Sequence, residues 1–260
     1  MWVTLTRDDR RATLHVTRSD VRRIVDRKEV VGSGSYGTVY KGKVRGRYVA
    51  VKCIRNHQGQ PDPGPYRKEV EALQRLRHPH ILTMLASFDE ECAIVSPFYA
   101  KGSLRQALYI SAFGNDPLLW RTRLRILADV SSAVLSMHTD RPEDPVIHRD
   151  LKPANILLTD NLDAVVADLG CARINEGSIF EGPKGTPGYA DPEYVRLGAC
   201  NPTDTHLDVY SLGVIILEML TNKPQRLEEF KRFVEGVRNR LDDAGKSRLA
   251  EILADFSRGM

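Results

Sequence analysis

The chain has 260 residues, of which 42% are hydrophobic and 28% are charged. These values allow a substantial buried core, and they fit one domain better than several small ones. The four cysteines are widely spaced without a C-x-x-C motif and no N-glycosylation acceptor occurs, so we expect a reducing, cytoplasmic setting. The longest apolar run, residues 212–217, is too short to cross a bilayer, and residues 1–28 lack a signal-peptide core.

The net charge of +4 is concentrated at the start of the chain. Residues 1–28 contain eight Lys and Arg against four Asp and Glu, and the rest of the chain is balanced. We interpret residues 1–23 as a basic, solvated leader to a domain at 24–260. A membrane-proximal or partner-docking segment is the alternative, because basic runs gather at anionic surfaces. The balanced charge elsewhere argues against nucleic-acid binding.

A glycine-rich loop follows at residues 32–37, with the spacing G-x-G-x-x-G. Dinucleotide-binding folds share this spacing, but there it opens a helix. Here the next residues are β-rich, and residues 48–52 alternate with the period of a strand after a polar turn. Glycines inside such a hairpin let backbone amides approach phosphate groups, so the pattern predicts a nucleotide phosphate site.

A helix is predicted to begin near Gly64 and Pro65. Glu69 lies on its inward stripe with the apolar residues four and seven positions later. Glu71 is the competing acid, but it lies roughly 200° round the helix and pairs more naturally with Arg75 at i+4. We therefore expect Glu69 to face the interior.

A second, longer helix is predicted before the polar loop described next. Its apolar stripe is predicted to comprise Leu124, Leu127, Ala128, Ser131, Val134, Leu135 and His138. This spacing predicts a long buried helix that leads into the loop.

Residues 148–155 read His-Arg-Asp-Leu-Lys-Pro-Ala-Asn, and residues 168–170 read Asp-Leu-Gly. Short apolar runs with a turn between them predict a hairpin that joins the two motifs. An acid, a cation and an amide would then lie in one loop with a second acid nearby. These are the residue types needed to transfer a phosphoryl group from a metal-bound nucleotide.

These motifs resemble those of the protein kinases over residues 24–256. The segment 185–193, which ends in Asp-Pro-Glu, is most similar to the receptor-like, interleukin-receptor-associated and Pelle-type kinases. The resemblance implies an α+β, bilobal fold. It places a small antiparallel lobe with one key helix at about 24–99, and a larger, mainly helical lobe at about 100–260.

The resemblance also implies roles for the polar residues. Asp150 would accept the proton of a substrate hydroxyl, Lys152 would neutralise the transferred phosphoryl group, and Asn155 and Asp168 would hold Mg²⁺. Lys52, paired with Glu69, would reach the α- and β-phosphates of ATP. Nucleotide contacts are implied at Val31, Gly32, Gly34, Gly37, Val39, Ala50, Lys52, Pro97 and Tyr99.

Residues 93–99 then correspond to the strand and hinge that receive adenine, with Ser96 at the back of the pocket. An ordinary edge strand without ATP contacts is the weaker interpretation. Asp208, before a long apolar run, is implied to anchor the backbone of the catalytic loop, with a plain helix cap as its rival.

The implied activity is ATP- and Mg²⁺-dependent phosphorylation of Ser/Thr on protein substrates in signalling. Lys152, Pro153 and Thr186 follow the Ser/Thr pattern. The alternative is a pseudokinase that serves as a binding or scaffold module. Arg149 would pair with a phosphate placed by an upstream kinase at Ser178, unless Ser178 is merely an exposed loop serine. Membrane association is expected only through a larger parent protein or the basic leader.

One expectation concerns the end of the chain. In the family, Glu193 pairs with an arginine in a late helix, and this chain ends at Met260 before that helix. We therefore expect a truncated lower lobe that is loosened by an unpaired, partly buried carboxylate.

Overall fold

The computed structural model describes residues 14–34, 37–113, 118–173, 185–197 and 204–221. A five-stranded antiparallel sheet has the strand order β1-β2-β3-β5-β4. Its strands are β1 (Val30–Gly34), β2 (Gly37–Val44), β3 (Arg47–Cys53), β4 (Ala86–Phe88) and β5 (Ala93–Pro97). Helix α2 (Pro63–Arg75) connects β3 to β4, and the side chain of Asp62 caps its first turn.

Helices dominate the described residues after β5. They are α3 (Leu104–Phe113), α4 (Trp120–Thr139), α5 (Pro192–Leu197) and α6 (His206–Thr221), with the hairpin β6 (Ile156–Leu158) and β7 (Ala164–Val166) between α4 and α5. One apolar cluster joins α2, α3, α4, this hairpin and α6. The structure confirms the predicted α+β architecture of a sheet-based lobe and a helical lobe. Among the described residues, no helix is both long and apolar enough to cross a membrane.

The start of the described chain differs from our interpretation of it. Helix α1 (Arg18–Asp26) begins at a capping box, in which Thr17 and Asp20 hydrogen-bond to each other's backbone N–H. Val21 and Ile24 are 1% and 2% exposed, because they pack on the outer face of the five-stranded sheet. The solvated-leader interpretation is therefore wrong for residues 14–23, and the boundary at residue 23 falls inside α1. Residues 1–13 lie outside the described part.

Helix α4 forms as predicted, but its buried face overlaps the predicted stripe only in part. Of that stripe, Val134 is buried and Leu127 packs partly buried against the core, whereas Leu124 and Leu135 are 56% and 62% exposed. The face toward the core presents Ile126, Val130, Ala133, Val134 and Met137. Both stripes have helical spacing, so periodicity alone did not distinguish them. The packing of β6, β7 and α6 decided which one is buried.

Candidate active site

A buried ion pair joins the sheet to α2. Lys52 lies on β3, whose residues alternate between buried and partly exposed positions. Its Nζ donates to Glu69 Oε1 and Oε2 at 2.9 and 2.6 Å. Glu69 is 1% exposed, whereas Glu71 lies on the other side of α2, 3.9 Å from Arg75. Of the two candidate acids, the structure brings Glu69 to Lys52.

Asp168 extends this pair to the Lys52 triad (Lys52, Glu69 and Asp168). Asp168 Oδ1 accepts from Lys52 Nζ at 2.7 Å, and its backbone is left-handed, with φ 65°. Burial opposes the charged form of Lys52, but the Glu69 and Asp168 carboxylates outweigh it and raise the pKa of the amine. Burial likewise opposes the charge of Asp168, and Lys52 outweighs it and lowers the pKa of that carboxyl. Lys52 and Asp168 are therefore both charged at neutral pH.

The residues after Asp168 allow α2 to approach closely. A Cβ on Gly170 would lie 3.3 Å from Glu69 Oε2, which is tighter than ordinary contact. Leu169 is fully buried in the core that includes α2. The sequence Asp-Leu-Gly thus combines an apolar anchor with a position at which a side chain would push Glu69 away.

The predicted catalytic loop, residues 148–155, supplies three of the four members of the Asp150 cluster (Asp150, Lys152, Asn155 and Thr186). Lys152 Nζ lies 2.7 Å from Asp150 Oδ2 and 2.6 Å from Thr186 Oγ1. The Thr186 hydroxyl donates to Asp150 Oδ1 at 2.6 Å. Although it is 36 residues distant in sequence, Thr186 thus contacts both groups predicted to act on the substrate. A carboxylate that already accepts from a hydroxyl has the geometry a general base needs.

Asn155 connects the other members of the Asp150 cluster to the residue before Asp168. Its Nδ2 donates to the backbone oxygen of Asp150 at 2.8 Å and to Asp150 Oδ2 at 3.2 Å. Its backbone oxygen accepts from Ala167 N at 2.8 Å, next to Asp168. The amide nitrogen is thereby engaged, and the amide oxygen and the Asp168 carboxylate are the atoms that would hold a metal. Two hard oxygen donors beside the predicted phosphate site suit Mg²⁺, so the residues present fit the expected metal.

Asp208 anchors the catalytic loop from α6. Its Oδ1 accepts from Arg149 N at 2.9 Å, and its Oδ2 accepts from His148 N at 2.8 Å and lies 2.9 Å from His138 Nε2. Although the residue is fully buried, His138 and the backbone of His148 lower the pKa of its carboxyl. Asp208 is the third residue of α6 and its carboxylate points at the loop, so the helix-cap alternative is wrong.

The predicted nucleotide contacts of the glycine-rich loop lie on the predicted hairpin of β1 and β2 and on β3. Gly37 has φ 136°, and a Cβ there would lie 2.1 Å from Cys53 O, so only glycine fits beside β3. The other predicted loop and strand contacts, Val31, Gly32, Gly34, Val39 and Ala50, lie on β1, β2 and β3 of the same sheet.

The predicted hinge follows β5, which pairs with β3 in the same sheet. Ser96 on β5 is buried opposite Ala50, and its Oγ lies 3.3 Å from the carbonyl oxygen of Pro97. Tyr99 follows the end of β5, and burial raises the pKa of its phenol to about 12. Ser96 is thus a small, buried residue next to the predicted adenine contacts at Ala50 and Pro97.

The segment 185–193 packs on α6. Tyr189 donates its hydroxyl to Glu218 Oε2, and Ser211 Oγ donates to the backbone oxygen of Tyr189 at 2.8 Å. Asp191 Oδ1 accepts from the N–H groups of Glu193 and Tyr194 at 2.7 and 3.1 Å, so it caps the start of α5. The aspartate of Asp-Pro-Glu therefore has a structural role here.

The expectation for Glu193 is wrong. Its side chain is 72% exposed and lies 3.6 Å from Arg196, one turn along α5. An exposed carboxylate keeps its hydration, so the predicted destabilisation does not arise. Ser178 lies outside the described residues. Arg149, its predicted partner, directs Nε to Cys171 O at 2.7 Å.

Sequence reasoning missed two residues of the site. His138 was assigned to an apolar stripe, yet it contacts Asp208, and no local sequence signal marks this. Glu218 is 4% exposed within the apolar helix α6. An acid inside an apolar run needs a partner when it is buried, and this rule could have identified Glu218.

Comparison with known proteins assigns the chain to a family. A family model described as "Protein kinase domain" matches residues 25–245. The chain therefore belongs to the protein kinase family, whose members generally use ATP and a divalent metal to phosphorylate proteins.

Its curated relatives include longer plant proteins. The chain is 38% identical over 224 residues to U-box domain-containing protein 70 of Oryza sativa subsp. japonica, covering 82% of the chain and 26% of that protein. It is 36% identical over 203 residues to U-box domain-containing protein 35 of Arabidopsis thaliana, covering 75% and 24%. It is 35% identical over 216 residues to a probable LRR receptor-like protein kinase of A. thaliana, covering 80% and 24%. The chain thus spans about a quarter of the length of these relatives.

Proposed function

We propose that this chain is an active serine/threonine protein kinase that transfers the γ-phosphoryl group of Mg-ATP to protein hydroxyls in signalling. The observation that carries the proposal is the hydrogen bond from the Thr186 hydroxyl to Asp150 Oδ1, at 2.6 Å, beside Lys152. It supports a carboxylate that is placed to accept a hydroxyl proton. The intact Lys52 triad supports a nucleotide site next to it.

The roles follow from this arrangement. Lys52, held by Glu69, would bind the α- and β-phosphates of ATP. The substrate hydroxyl oxygen would form a bond to the γ-phosphorus as the bond to ADP breaks, and its proton would pass to Asp150. Lys152 would neutralise charge on the transferred group. Asn155 and Asp168 would hold Mg²⁺, which neutralises phosphate charge when bound.

An assay of the purified chain with Mg-ATP and acceptor peptides tests the proposal. The peptides should be identical except for Ser, Thr or Tyr at the acceptor position, and we expect transfer to Ser and Thr. Asp150→Asn should lower turnover roughly 10²- to 10⁴-fold, because it removes the base, while ATP affinity stays nearly unchanged. Asp168→Asn should instead weaken Mg-ATP binding. Asp160→Asn, in an exposed turn, is the matched control.

Three outcomes would contradict parts of the proposal. Wild-type turnover by Asp150→Asn would show that Asp150 is not the base. Nucleotide binding without turnover by the unaltered chain would favour the pseudokinase alternative. Transfer confined to the Tyr peptide would reject Ser/Thr specificity.

Regulation and location are also part of the proposal. We infer that the substrates are cytoplasmic proteins and that an upstream kinase acts at Ser178. The support is the position of Arg149, which lies against residues 171 and 172 at the start of the segment that contains Ser178. Ser178→Ala should slow activation. Full activity of an unphosphorylated Ser178→Ala protein would contradict the inference that phosphorylation of Ser178 activates the chain.

A further inference from the structure

Helix α1 lies almost wholly before residue 25, where the match to the protein kinase family begins. It is nevertheless built into the sheet-based lobe. Val21 and Ile24 are buried in the same apolar cluster as Val49 and Val51 of β3. A Cβ on Gly42 of β2 would lie 2.3 Å from Ile24 Cγ1, so the glycine makes room for this side chain. Apolar burial therefore holds α1 in one position on the sheet.

Two arginines of α1 reach the β4–β5 turn (residues 89–92). Arg18 Nη1 lies 2.9 Å from Glu90 Oε2. Arg22 Nη2 and Arg18 Nε lie 3.2 and 3.4 Å from Glu91 Oε1. The Glu91 side chain is only 18% exposed, and its Oε2 is buried without a hydrogen-bond partner in the described part of the chain. Glu91 therefore depends on α1 for the positive charge that compensates its burial.

Helix α2 holds the other side of the same turn. Tyr66 is 2% exposed, and its hydroxyl donates to Asp89 Oδ1 at 2.7 Å. Tyr66 lies one helical turn before Glu69, the partner of Lys52. The turn is itself fixed to the residues after β3, because Ile54 N donates to Cys92 O at 2.9 Å. The β4–β5 turn thus contacts α1 on one side and α2 on the other.

We propose that α1 is a positioning element of the catalytic domain. Through the β4–β5 turn it holds α2 where Glu69 pairs with Lys52. Arg22, Glu91, Asp89 and Tyr66 are the positioning residues. The inference rests on the proposed kinase function, because its effect on turnover is expressed through Lys52. Its structural half, the coupling of α1 to α2, is measurable in an inactive protein as well.

The test uses two variants with matched controls in the full chain. Arg22→Ala removes a cation from the turn, and Arg23→Ala removes a cation of the same helix whose ion pair is with Asp20 of α1. Tyr66→Phe removes the hydroxyl that reaches Asp89 and keeps the buried ring. Tyr48→Phe is its control, because it removes a hydroxyl from an exposed tyrosine. Amide hydrogen exchange of α2 and the KM for ATP are measured for each.

We expect Arg22→Ala and Tyr66→Phe to speed exchange in α2 and to raise the KM for ATP threefold to tenfold, because Lys52 binds the phosphates. A merely destabilised fold would lower the active fraction and leave KM unchanged. Both controls should match the unaltered chain. In the Arg22→Ala/Tyr66→Phe double variant the effects should be clearly less than additive, because the two residues act through one turn.

Unchanged α2 exchange in Arg22→Ala would overturn the coupling of α1 to α2. Faster exchange with unchanged KM would overturn the link to Lys52, and additive effects would show that the two residues act separately. If the unaltered chain shows no turnover, the proposed function fails. In that case, exchange and the dissociation constant for ATP still decide the inference.

Discussion

Replacing Asp208 by Asn tests how the catalytic loop is held. The carboxylate accepts three hydrogen bonds, from the backbone of His148 and Arg149 and from His138. Asn is nearly isosteric with Asp but offers only one oxygen. In either orientation of the amide, an NH₂ group faces a backbone N–H that it cannot accept from.

The expected loss can be worked from these contacts. With the oxygen kept at the position bonded to His148, the bond to Arg149 N is lost, and a hydrogen bond to a charged group contributes about 1.5–3 kcal/mol. The buried N–H left unsatisfied costs about 1–3 kcal/mol more. The sum is roughly 2.5–6 kcal/mol. This corresponds to a melting temperature lower by roughly 5–24 °C for a chain of this size.

Thermal melting of Asp208→Asn is the assay, with Asp160→Asn at an exposed turn as the control. Turnover should fall as well, because Asp150 directly follows the anchored residues. Asn caps helices about as well as Asp does. A helix-cap role therefore predicts almost no change in melting temperature. If Asp208→Asn melts within about 2 °C of the unaltered chain, which corresponds to about 0.5–1 kcal/mol, the anchoring role of Asp208 is refuted.

Three further predictions concern the candidate active site. Ser96→Phe should fill the space behind the predicted adenine site. An inhibitor whose apolar extension buries about 80 Å² there should then lose about 2 kcal/mol of binding free energy, or roughly 30-fold in Kd, while the Kd of ATP stays unchanged. Equal inhibition of both forms would show that Ser96 does not line the site. Thr186→Val removes the hydroxyl shared by Asp150 and Lys152 and should lower kcat roughly 10- to 100-fold, whereas Thr186→Ser retains it; equal rates would contradict the assignment. Despite its burial, Asp168 has a lowered pKa because of Lys52. Its ionised form therefore stabilises the fold above the ordinary pKa of about 3.9, and this stability is lost as the pH falls through the lowered pKa. The difference in melting temperature between the unaltered chain and Asp168→Asn should therefore shrink below about pH 4, and a constant difference would oppose this reasoning.

Much of the site was accessible from the sequence because its residues lie in short, contiguous motifs. The order of types in residues 148–155 and the hairpin after them bring Asn155 and the segment at Asp168 together through local geometry. Helical spacing was enough to prefer Glu69 over Glu71, since only one of two acids two positions apart on a helix faces Lys52.

The tertiary structure decided which surfaces are buried. Helix α4 carries two apolar stripes, and only the elements packed against it select the one that contains Ile126. The basic start of the chain resembled a solvated leader because its charge is conspicuous. Two apolar residues, Val21 and Ile24, outweigh that charge once the sheet offers them a surface. The spacing of residues along a helix or strand determines which side chains share a face. Whether that face is buried depends on the elements packed against it, and only the folded chain brings those elements together.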